Sequence, residues 1–278
     1  MRGLDLRRVE GEHELVEADV RDADAVARAA EGVDAIVHGA ALHGVHLRRW
    51  SEQDFWSINA TGTFNVFEAA RKANVQRFVL ASTMGVYGVR VEAAADAWAV
   101  VDEETPTRPL DVYGLSKLLC EEMGRHYARV HGMRVVALRF GMYVPETFER
   151  YGFRLLFGGV DNRDVAQSVL LALEHEPPAD FDAFDVMADT PFAQEEARDL
   201  ARDPVAVIER HWPGASDLFR ERELDTDALL WGRILWPVEK AKRELGYRPA
   251  YGFGEFLDAL RRDDASHYPF AGLAQWGV

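Results

Sequence analysis

Cysteine and long apolar runs are the scarcest features of this sequence. The 278-residue chain has one cysteine, Cys120, which excludes an intrachain disulfide and is typical of a reducing compartment. No apolar run approaches the roughly 20 residues that a membrane helix needs, and residues 1–8 lack the apolar core of a secretory signal. We therefore expect a soluble, cytoplasmic protein with no membrane partner.

Basic residues are also few. The chain has 32 Lys and Arg against 47 Asp and Glu, for a formal net charge of −15. Nucleic acids and anionic membranes bind basic surfaces, so this balance argues against both as partners. The expected ligand is a small molecule, and we predict no metal site.

The glycine pattern that binds a dinucleotide pyrophosphate is missing as well. None of the 22 glycines forms G-x-G-x-x-G between a strand and a helix. Residues 2–6 nevertheless resemble a short strand with an acid, Asp5, near its end. In dinucleotide-binding folds such an acid bonds the adenosine ribose, about 20 residues after the glycine pattern. Asp5 is thus a candidate ribose ligand with no glycine turn before it.

A tyrosine and a lysine four residues apart stand at the centre of what is present. Tyr113 and Lys117 open an amphipathic segment, and on a helix this spacing puts them on one face. A nearby ammonium favours the phenolate, so we expect Lys117 to lower the pKa of Tyr113 from its usual value of about 10. Such a tyrosine can exchange a proton with a carbinol while a cofactor takes the hydride.

An apolar strand at residues 77–81 precedes this pair and is followed by two hydroxyl side chains, Ser82 and Thr83. Open α/β sheets bind their ligands at the carboxyl ends of parallel strands. A hydroxyl there can hold the substrate oxygen on which the tyrosine acts. The three elements together predict a catalytic site.

In this context the chain resembles the extended short-chain dehydrogenase/reductases, the NAD-dependent epimerase/dehydratase family. The matching segments occur in the family's order: VHGAA at 37–41, NATGT at 59–63, ST at 82–83 with VYG at 86–88, YGLSK at 113–117, RFG at 139–141, 161–166 and KAKRELGYRP at 240–249. The resemblance implies an α/β fold, a Rossmann-like doubly wound parallel sheet whose first strand and helix are missing, with a small, mainly helical C-terminal lobe. Residues 1–145 would form a truncated dinucleotide-binding domain to which 160–188 return, while 146–159 and 189–278 would form the substrate lobe.

The resemblance also implies a set of site residues. Those implied to be catalytic are Thr83, Tyr113 and Lys117, and those implied to bind the cofactor are Asp5, Asp19, Val20, Gly39, Ala40, Ala41, Asn59, Ser82, Lys117 and Phe140. Two of these have simpler alternatives, since Asp19 could cap a helix at 23–30 together with Asp22, and Asn59 could brace the sheet. Two histidines, His43 and His46, lie on a predicted polar loop, where a solvated position is the simpler interpretation.

The predicted substrate contacts are Thr83, Met84, Arg150 and Arg154. Met84 and Gly85 occupy the positions where family dehydratases have an Asp-Glu pair, which argues against a dehydratase. Only about twenty residues separate Gly141 from Asp161, and this shortness resembles the uronate dehydrogenases, which bind no nucleotide. Arg150 and Arg154, within this segment, are candidates to bind a carboxylate or phosphate.

Three functional hypotheses follow. The first is an NAD-dependent epimerase of sugars or nucleotide sugars, the second a uronate or sugar dehydrogenase, and the third a cofactor-free, non-enzymatic relative. Asp5 favours NAD, although Arg7 and Arg8 leave NADP open. A homodimer is implied by the resemblance alone.

The missing glycine turn has two explanations. In the first, the start codon is placed too late or the chain has been shortened. In the second, the protein has lost the segment that binds the cofactor pyrophosphate. The intact catalytic positions favour the first. If a central strand is absent, residues 2–6 and 35–40 should have unpaired inner edges.

Residues 89–109 are acidic and contain prolines, so we predict a surface loop there.

Overall fold

Parallel strands and helices form an α/β fold in a computed structural model that describes residues 1–7, 13–89, 96–177, 180–230 and 232–273. The strands are β1 (Arg2–Asp5), β2 (Glu14–Glu17), β3 (Ala35–His38), β4 (Arg77–Thr83), β5 (Ala99–Val100), β6 (Arg134–Phe140), β7 (Phe181–Val186) and β8 (Ile234–Leu235). The α-helices are α1 (Ala23–Ala30), α2 (Glu52–Phe55), α3 (Gly62–Lys72), α4 (Val112–His131), α5 (Phe148–Arg154), α6 (Asn162–Glu174), α7 (Ala197–Arg202), α8 (Pro204–His211), α9 (Ala215–Glu221) and α10 (Phe253–Arg261).

The main sheet has four parallel strands in the order β3-β4-β6-β7. Its register places Thr83 beside Phe140, so side chains that follow these strands share one edge. The buried strands are rich in valine, leucine and phenylalanine, as expected for a sheet covered on both faces. The predicted α/β class with a parallel sheet is confirmed.

Helix ends follow the capping residues. The Asp111 carboxylate accepts a 2.8 Å hydrogen bond from the N–H of Gly114 and begins α4, and Gly132 ends it in the left-handed conformation. Ser51 and Asp54 form a capping box at α2. Residues 52–72 form one continuous helical segment, but its middle, Trp56–Thr61, is π-helical, a feature often found beside functional sites.

A cleft separates β1 and β2 from the main sheet. Among the described residues β1 pairs only with β2, and β3 pairs only with β4. The cleft has a volume of about 170 Å³ and is lined from both sides, by Arg2, Gly3 and Leu4 of β1 and by residues 35–40. The middle of β3 is correspondingly open, and Val37 is 47% exposed. The predicted pair of open inner edges is present.

The segment predicted as a surface loop at 89–109 contains structure that the sequence analysis missed. Ala99–Val100 forms β5, which pairs in parallel with β8, and the neighbouring Trp98 is buried. Residues 90–95 lie outside the described part of the chain. Sequence-distant pairing of two-residue strands leaves no local pattern, which explains the error.

Aromatic side chains hold the C-terminal helices together. Phe153 of α5, Phe219 of α9, and Phe253 and Phe256 of α10 contact one another within one buried cluster. Helices at 197–261 are therefore packed on the short segment after β6. In the described part of the chain, no helix has the length and apolar character needed to cross a membrane.

Candidate active site

A cleft of about 420 Å³ opens at the carboxyl ends of β3, β4 and β6, beside the first turns of α4. Seven predicted site residues line it: Gly39, Ala41, Ser82, Thr83, Tyr113, Lys117 and Phe140. Gly39 lines both this cleft and the one between the sheets. Sheet register and the N-terminus of α4 thus bring together side chains that are up to 100 residues apart in sequence.

Tyr113 and Thr83 form the polar centre of this cleft. Burial raises the pKa of the Tyr113 phenol above its usual value, and a hydrogen bond with the Thr83 side chain opposes that rise. The Thr83 hydroxyl oxygen also accepts a 3.1 Å bond from the N–H of Gly85, which fixes its rotamer. The two groups can therefore hold one substrate oxygen between them.

Lys117 is buried but does not act on Tyr113 as predicted. Its ammonium donates a 2.8 Å hydrogen bond to the carbonyl oxygen of Ala81, and burial lowers its pKa. The phenol pKa is raised mainly by burial, and Lys117 is not among the groups that account for most of the shift. The expected lowering of the tyrosine pKa is therefore not found in this arrangement, because burial is the largest influence on the phenol.

Ser82 belongs to a buried charge cluster that the sequence analysis did not identify. Its hydroxyl donates a 2.6 Å bond to Glu121, whose carboxylate also pairs with both Nε and Nη2 of Arg139 at 3.0 and 2.8 Å. Arg139 in turn donates to the Tyr87 hydroxyl, which donates to Asp185. Glu121 lies one turn beyond Lys117 on α4, so the two side chains share one face of the helix. This spacing is the sequence signal that could have indicated where Glu121 points.

The predicted adenosine-side residues lie around the cleft between the sheets. Val20, Gly39 and Ala40 line it, and Asp5 ends the neighbouring β1, where it accepts from the N–H of Arg7. Asp19 binds the guanidinium and the N–H of Arg21, which holds its pKa below the usual value. Asp22 alone caps α1, so the predicted capping role of Asp19 is wrong.

Asn59 braces the loop after β3 instead of facing the cleft. Its side chain accepts from the N–H of Leu42 at 2.7 Å and donates to the Leu42 carbonyl and to Ser116 Oγ. Both amide donors are then used within the protein, so the arrangement presents none to a cofactor. This matches the simpler of the two predicted roles.

Three predicted substrate contacts are not on the cleft. The Met84 side chain packs towards Gly158 and the cluster around Trp236. Arg150 is exposed on α5. Arg154 is buried, where it donates to the Val144 carbonyl at 3.0 Å and pairs with Glu146 at 3.3 Å. Of the predicted substrate residues, only Thr83 is brought to the cleft.

His43 lines the cleft, and the interpretation of this residue as solvated is wrong. Its ring centroid lies 5.0 Å from that of Tyr113, and it caps the 3₁₀ turn Gly44–Arg48. No periodic pattern marks such a residue, because its position depends on the loop that Asn59 braces.

The cleft fits the nicotinamide end of a dinucleotide. An ammonium has three donors, and Ala81 is the one acceptor found for Lys117 in the described ranges, so two donors remain for ribose hydroxyls in the cleft that Lys117 lines. The described residues offer no matching site for the pyrophosphate end. In the described part of the chain, no unit of strand, glycine turn and helix fills the space between β1 and β3. Nor does that part of the chain contain a cluster of three metal-ligating side chains.

Comparison with curated proteins finds sugar enzymes. The chain is 38% identical over 141 residues to a uronate dehydrogenase of Pseudomonas syringae pv. tomato (50% of this chain, 48% of the relative). It is 42% identical over 131 residues to an L-arabinose 1-dehydrogenase (NAD(P)(+)) of Haloferax volcanii (44% and 50%). A putative UDP-glucose 4-epimerase of Methanocaldococcus jannaschii is 35% identical over 131 residues (46% and 40%). The matches span about half the length of these relatives.

Solved structures share the fold. A mutated uronate dehydrogenase superposes with a TM-score of 0.63 at 20% identity, covering 100% of this chain and 79% of the other. A short-chain dehydrogenase/reductase superfamily protein from Agrobacterium tumefaciens, with bound NAD, gives 0.65 at 22% identity, covering 96% and 88%. These identities show the fold alone.

The family assignment rests on a match of the chain itself. Residues 2–152, more than half of the sequence, match the model of a family of NAD-dependent sugar enzymes. The matched range contains β1 to β6, α4 and the cleft residues Thr83, Tyr113 and Lys117. The chain therefore belongs to the NAD dependent epimerase/dehydratase family.

Proposed function

We propose that this cleft oxidises the anomeric hydroxyl of a free sugar, using a nicotinamide dinucleotide. The observation that carries the proposal is the meeting of Thr83, Tyr113 and Lys117 at one edge of the main sheet. It is supported by two relatives, an L-arabinose 1-dehydrogenase and a uronate dehydrogenase, whose names specify sugar oxidation.

In this reaction Thr83 and Tyr113 hold the hydroxyl oxygen on C1. The phenolate form of Tyr113, a minor fraction because burial raises the phenol pKa, takes the hydroxyl proton and later releases it to solvent. The bound nicotinamide supplies the hydride acceptor for the hydrogen on C1. The ring oxygen and the former hydroxyl oxygen remain on C1, so the product is a lactone.

The other lining residues position the reactants. The two N–H donors of Lys117 that Ala81 does not accept would hold the nicotinamide ribose. Phe140, Tyr143 and Val144 line the same cleft and supply apolar surface that would limit the access of water to the reacting carbon. Ser82 is held by Glu121, which keeps its oxygen at the carboxyl end of β4.

The charge of the cleft favours a free sugar over a nucleotide sugar. Lys117 is the one lysine or arginine among the lining residues that the structure describes. A nucleotide diphosphate normally needs several charged donors, and arginine is the usual choice. Arg150 and Arg154, the residues predicted for this role, do not line the cleft.

A sugar epimerase is the second candidate, because the matched relatives include UDP-glucose 4-epimerases. The same three side chains would remove the proton, and hydride would return to the opposite face of the ketone. The cofactor would then be regenerated in each cycle.

The test is to incubate the protein separately with NAD⁺ and NADP⁺ and with L-arabinose, D-glucuronate or UDP-glucose, recording reduced nicotinamide by its absorbance. We expect a stoichiometric rise with a free sugar. Product without net reduction would indicate the epimerase instead. If no sugar is turned over while the protein is folded, the proposal of an enzymatic function for this chain fails.

Tyr113→Phe is the decisive variant. It should lower kcat by at least about 100-fold, the usual contribution of a general acid–base. Tyr251→Phe is the matched control, because that ring stacks under Arg163 on α6, and its hydroxyl is not needed for the contact. Equal loss in the two variants would mean that Tyr113 has no chemical role.

A further inference from the structure

The loop after β3 holds His43 in one orientation beside the tyrosine. Residue Leu42 is tied at both its N–H and its carbonyl by Asn59, at 2.7 and 3.0 Å. His43 then begins the 3₁₀ turn, with its ring 5.0 Å from that of Tyr113 and tilted by 56°. A ring fixed in this way has a defined direction for each nitrogen.

The hydrogen bonds of the loop decide which nitrogen carries the proton. Nδ1 of His43 accepts from the N–H of Val45 at 3.3 Å, so its lone pair is directed at the backbone. In the neutral ring the hydrogen must then sit on Nε2, which becomes a donor. Within the described ranges, no protein acceptor is found for this N–H.

The ring also remains neutral over the physiological range. Burial, the Lys117 ammonium from α4 and the neighbouring His46 lower the pKa of His43 to about 4. The phenol of Tyr113 is the other titratable group in contact with the ring, and burial keeps it protonated in the same range. The cleft therefore contains an oriented, uncharged N–H donor next to its acid–base residue.

We propose that His43 is a specificity-determining residue whose Nε2–H donates to the hydroxyl oxygen on C2, adjacent to the reacting carbon of the sugar. This inference rests on the function proposed above. A hydroxyl oxygen accepts from a neutral N–H at little desolvation cost, whereas a deoxy sugar would leave the donor buried and unpaired. The residue thus selects sugars that retain an oxygen at C2.

Two variants separate the donor from the ring. His43→Phe keeps an aromatic ring against Tyr113 but removes the N–H, and His43→Gln restores an amide donor near the position of Nε2. Each is assayed with L-arabinose and with 2-deoxy-L-arabinose under NAD⁺ or NADP⁺. We expect the wild type to lose roughly fivefold to tenfold in kcat/KM when the C2 hydroxyl is absent.

If the proposal is correct, His43→Phe no longer discriminates between L-arabinose and 2-deoxy-L-arabinose. His43→Phe should show a similar fivefold to tenfold drop with L-arabinose and no further drop with the deoxy sugar, and His43→Gln should recover part of the difference. If His43→Phe discriminates as the wild type does, His43 does not contact C2–OH. That result leaves turnover intact, so it differs from a failure of the proposed function.

A second measurement does not need turnover. ¹⁵N-histidine NMR of the protein with NAD⁺, assigned by the signals that His43→Phe removes, reports the Nε2–H tautomer directly. Addition of L-arabinose should shift the Nε2–H signal, and 2-deoxy-L-arabinose should shift it less. A proton on Nδ1, or equal shifts with both sugars, overturns the inference even if no product forms.

Discussion

Ser82 donates a 2.6 Å hydrogen bond to Glu121, and this contact links the end of β4 to the helix that carries Tyr113. The same carboxylate neutralises the buried guanidinium of Arg139 at the end of β6. Two strand ends and one helix are thus fixed by a single side chain. In the reaction proposed above, the positions of Thr83 and Tyr113 would depend on this side chain.

Replacing Glu121 with glutamine should destabilise the protein severely. Glutamine keeps the shape but leaves Arg139 charged and buried, and breaking a buried pair in this way costs about 3–5 kcal/mol. Urea unfolding measures the loss. Glu122→Gln is the control, because the adjacent Glu122 is exposed and pairs, among the residues that the structure describes, with Arg125 at the surface, where such a pair contributes about 0–1 kcal/mol. Similar losses in the two variants would show that the buried pair is not important.

Thr83→Val should move the pH profile of kcat/KM upwards. The Thr83 hydrogen bond lowers the pKa of Tyr113 against the effect of burial, so its removal raises that pKa further. The reactive phenolate then forms only at higher pH, and its fraction at neutral pH falls about tenfold whenever the pKa rises by one. Thr83→Ser keeps the hydroxyl and should retain the profile. If kcat/KM of Thr83→Val rises at the same pH as that of the wild type, this account is wrong.

Asp185→Asn should change how stability depends on pH. Burial and the nearby Glu103 raise the pKa of Asp185 well above its usual value. The folded wild type therefore loses stability as pH rises from the unfolded-state pKa towards the folded-state pKa of this group, by about 1.4 kcal/mol per pH unit between the two. The asparagine variant lacks this penalty, so its stability relative to wild type should increase from about pH 4 towards neutral pH.

Denaturation curves at a series of pH values measure that difference. Asparagine can still accept the bond from the Tyr87 hydroxyl, so the contact itself is preserved. A difference that stays constant with pH would mean that Asp185 does not titrate in this range.

Phe64→Asp should convert the expected homodimer into a monomer. A homodimer would need an exposed apolar surface to bury, and Trp56, Phe64 and Leu115 are 53%, 49% and 44% exposed on the helical segment that includes α3 and on α4. Light scattering after gel filtration would measure the mass. Leu170→Asp is the control, because Leu170 is 65% exposed on α6, a different helix. A wild-type protein that is monomeric at every concentration would rule out the homodimer.

Short local patterns in the sequence predict the site. A tyrosine and a lysine on one helix face, and hydroxyl groups directly after an apolar strand, have fixed geometric meanings, so Thr83, Tyr113 and Lys117 share one cleft. The pairing of Ser82 with Glu121 and the placing of His43 depend on contacts between distant segments, which leave no periodic signal. The expected effect of Lys117 on Tyr113 fails for another reason: spacing specifies proximity, whereas a pKa depends on burial and on where the ammonium is bonded.

The cleft beside β3 has a further consequence for how the chain unfolds. Residues of β1 and β2 share no backbone ladder with the main sheet within the described ranges, and α1 joins them to it mainly by packing Val26 and Ala30 against Val66 and Ala70 of α3. Cooperative unfolding is transmitted most strongly through ladders and large shared cores. The strands β1 and β2 should therefore open as a separate foldon. Their amide protons would exchange with solvent long before those of β4 and β6.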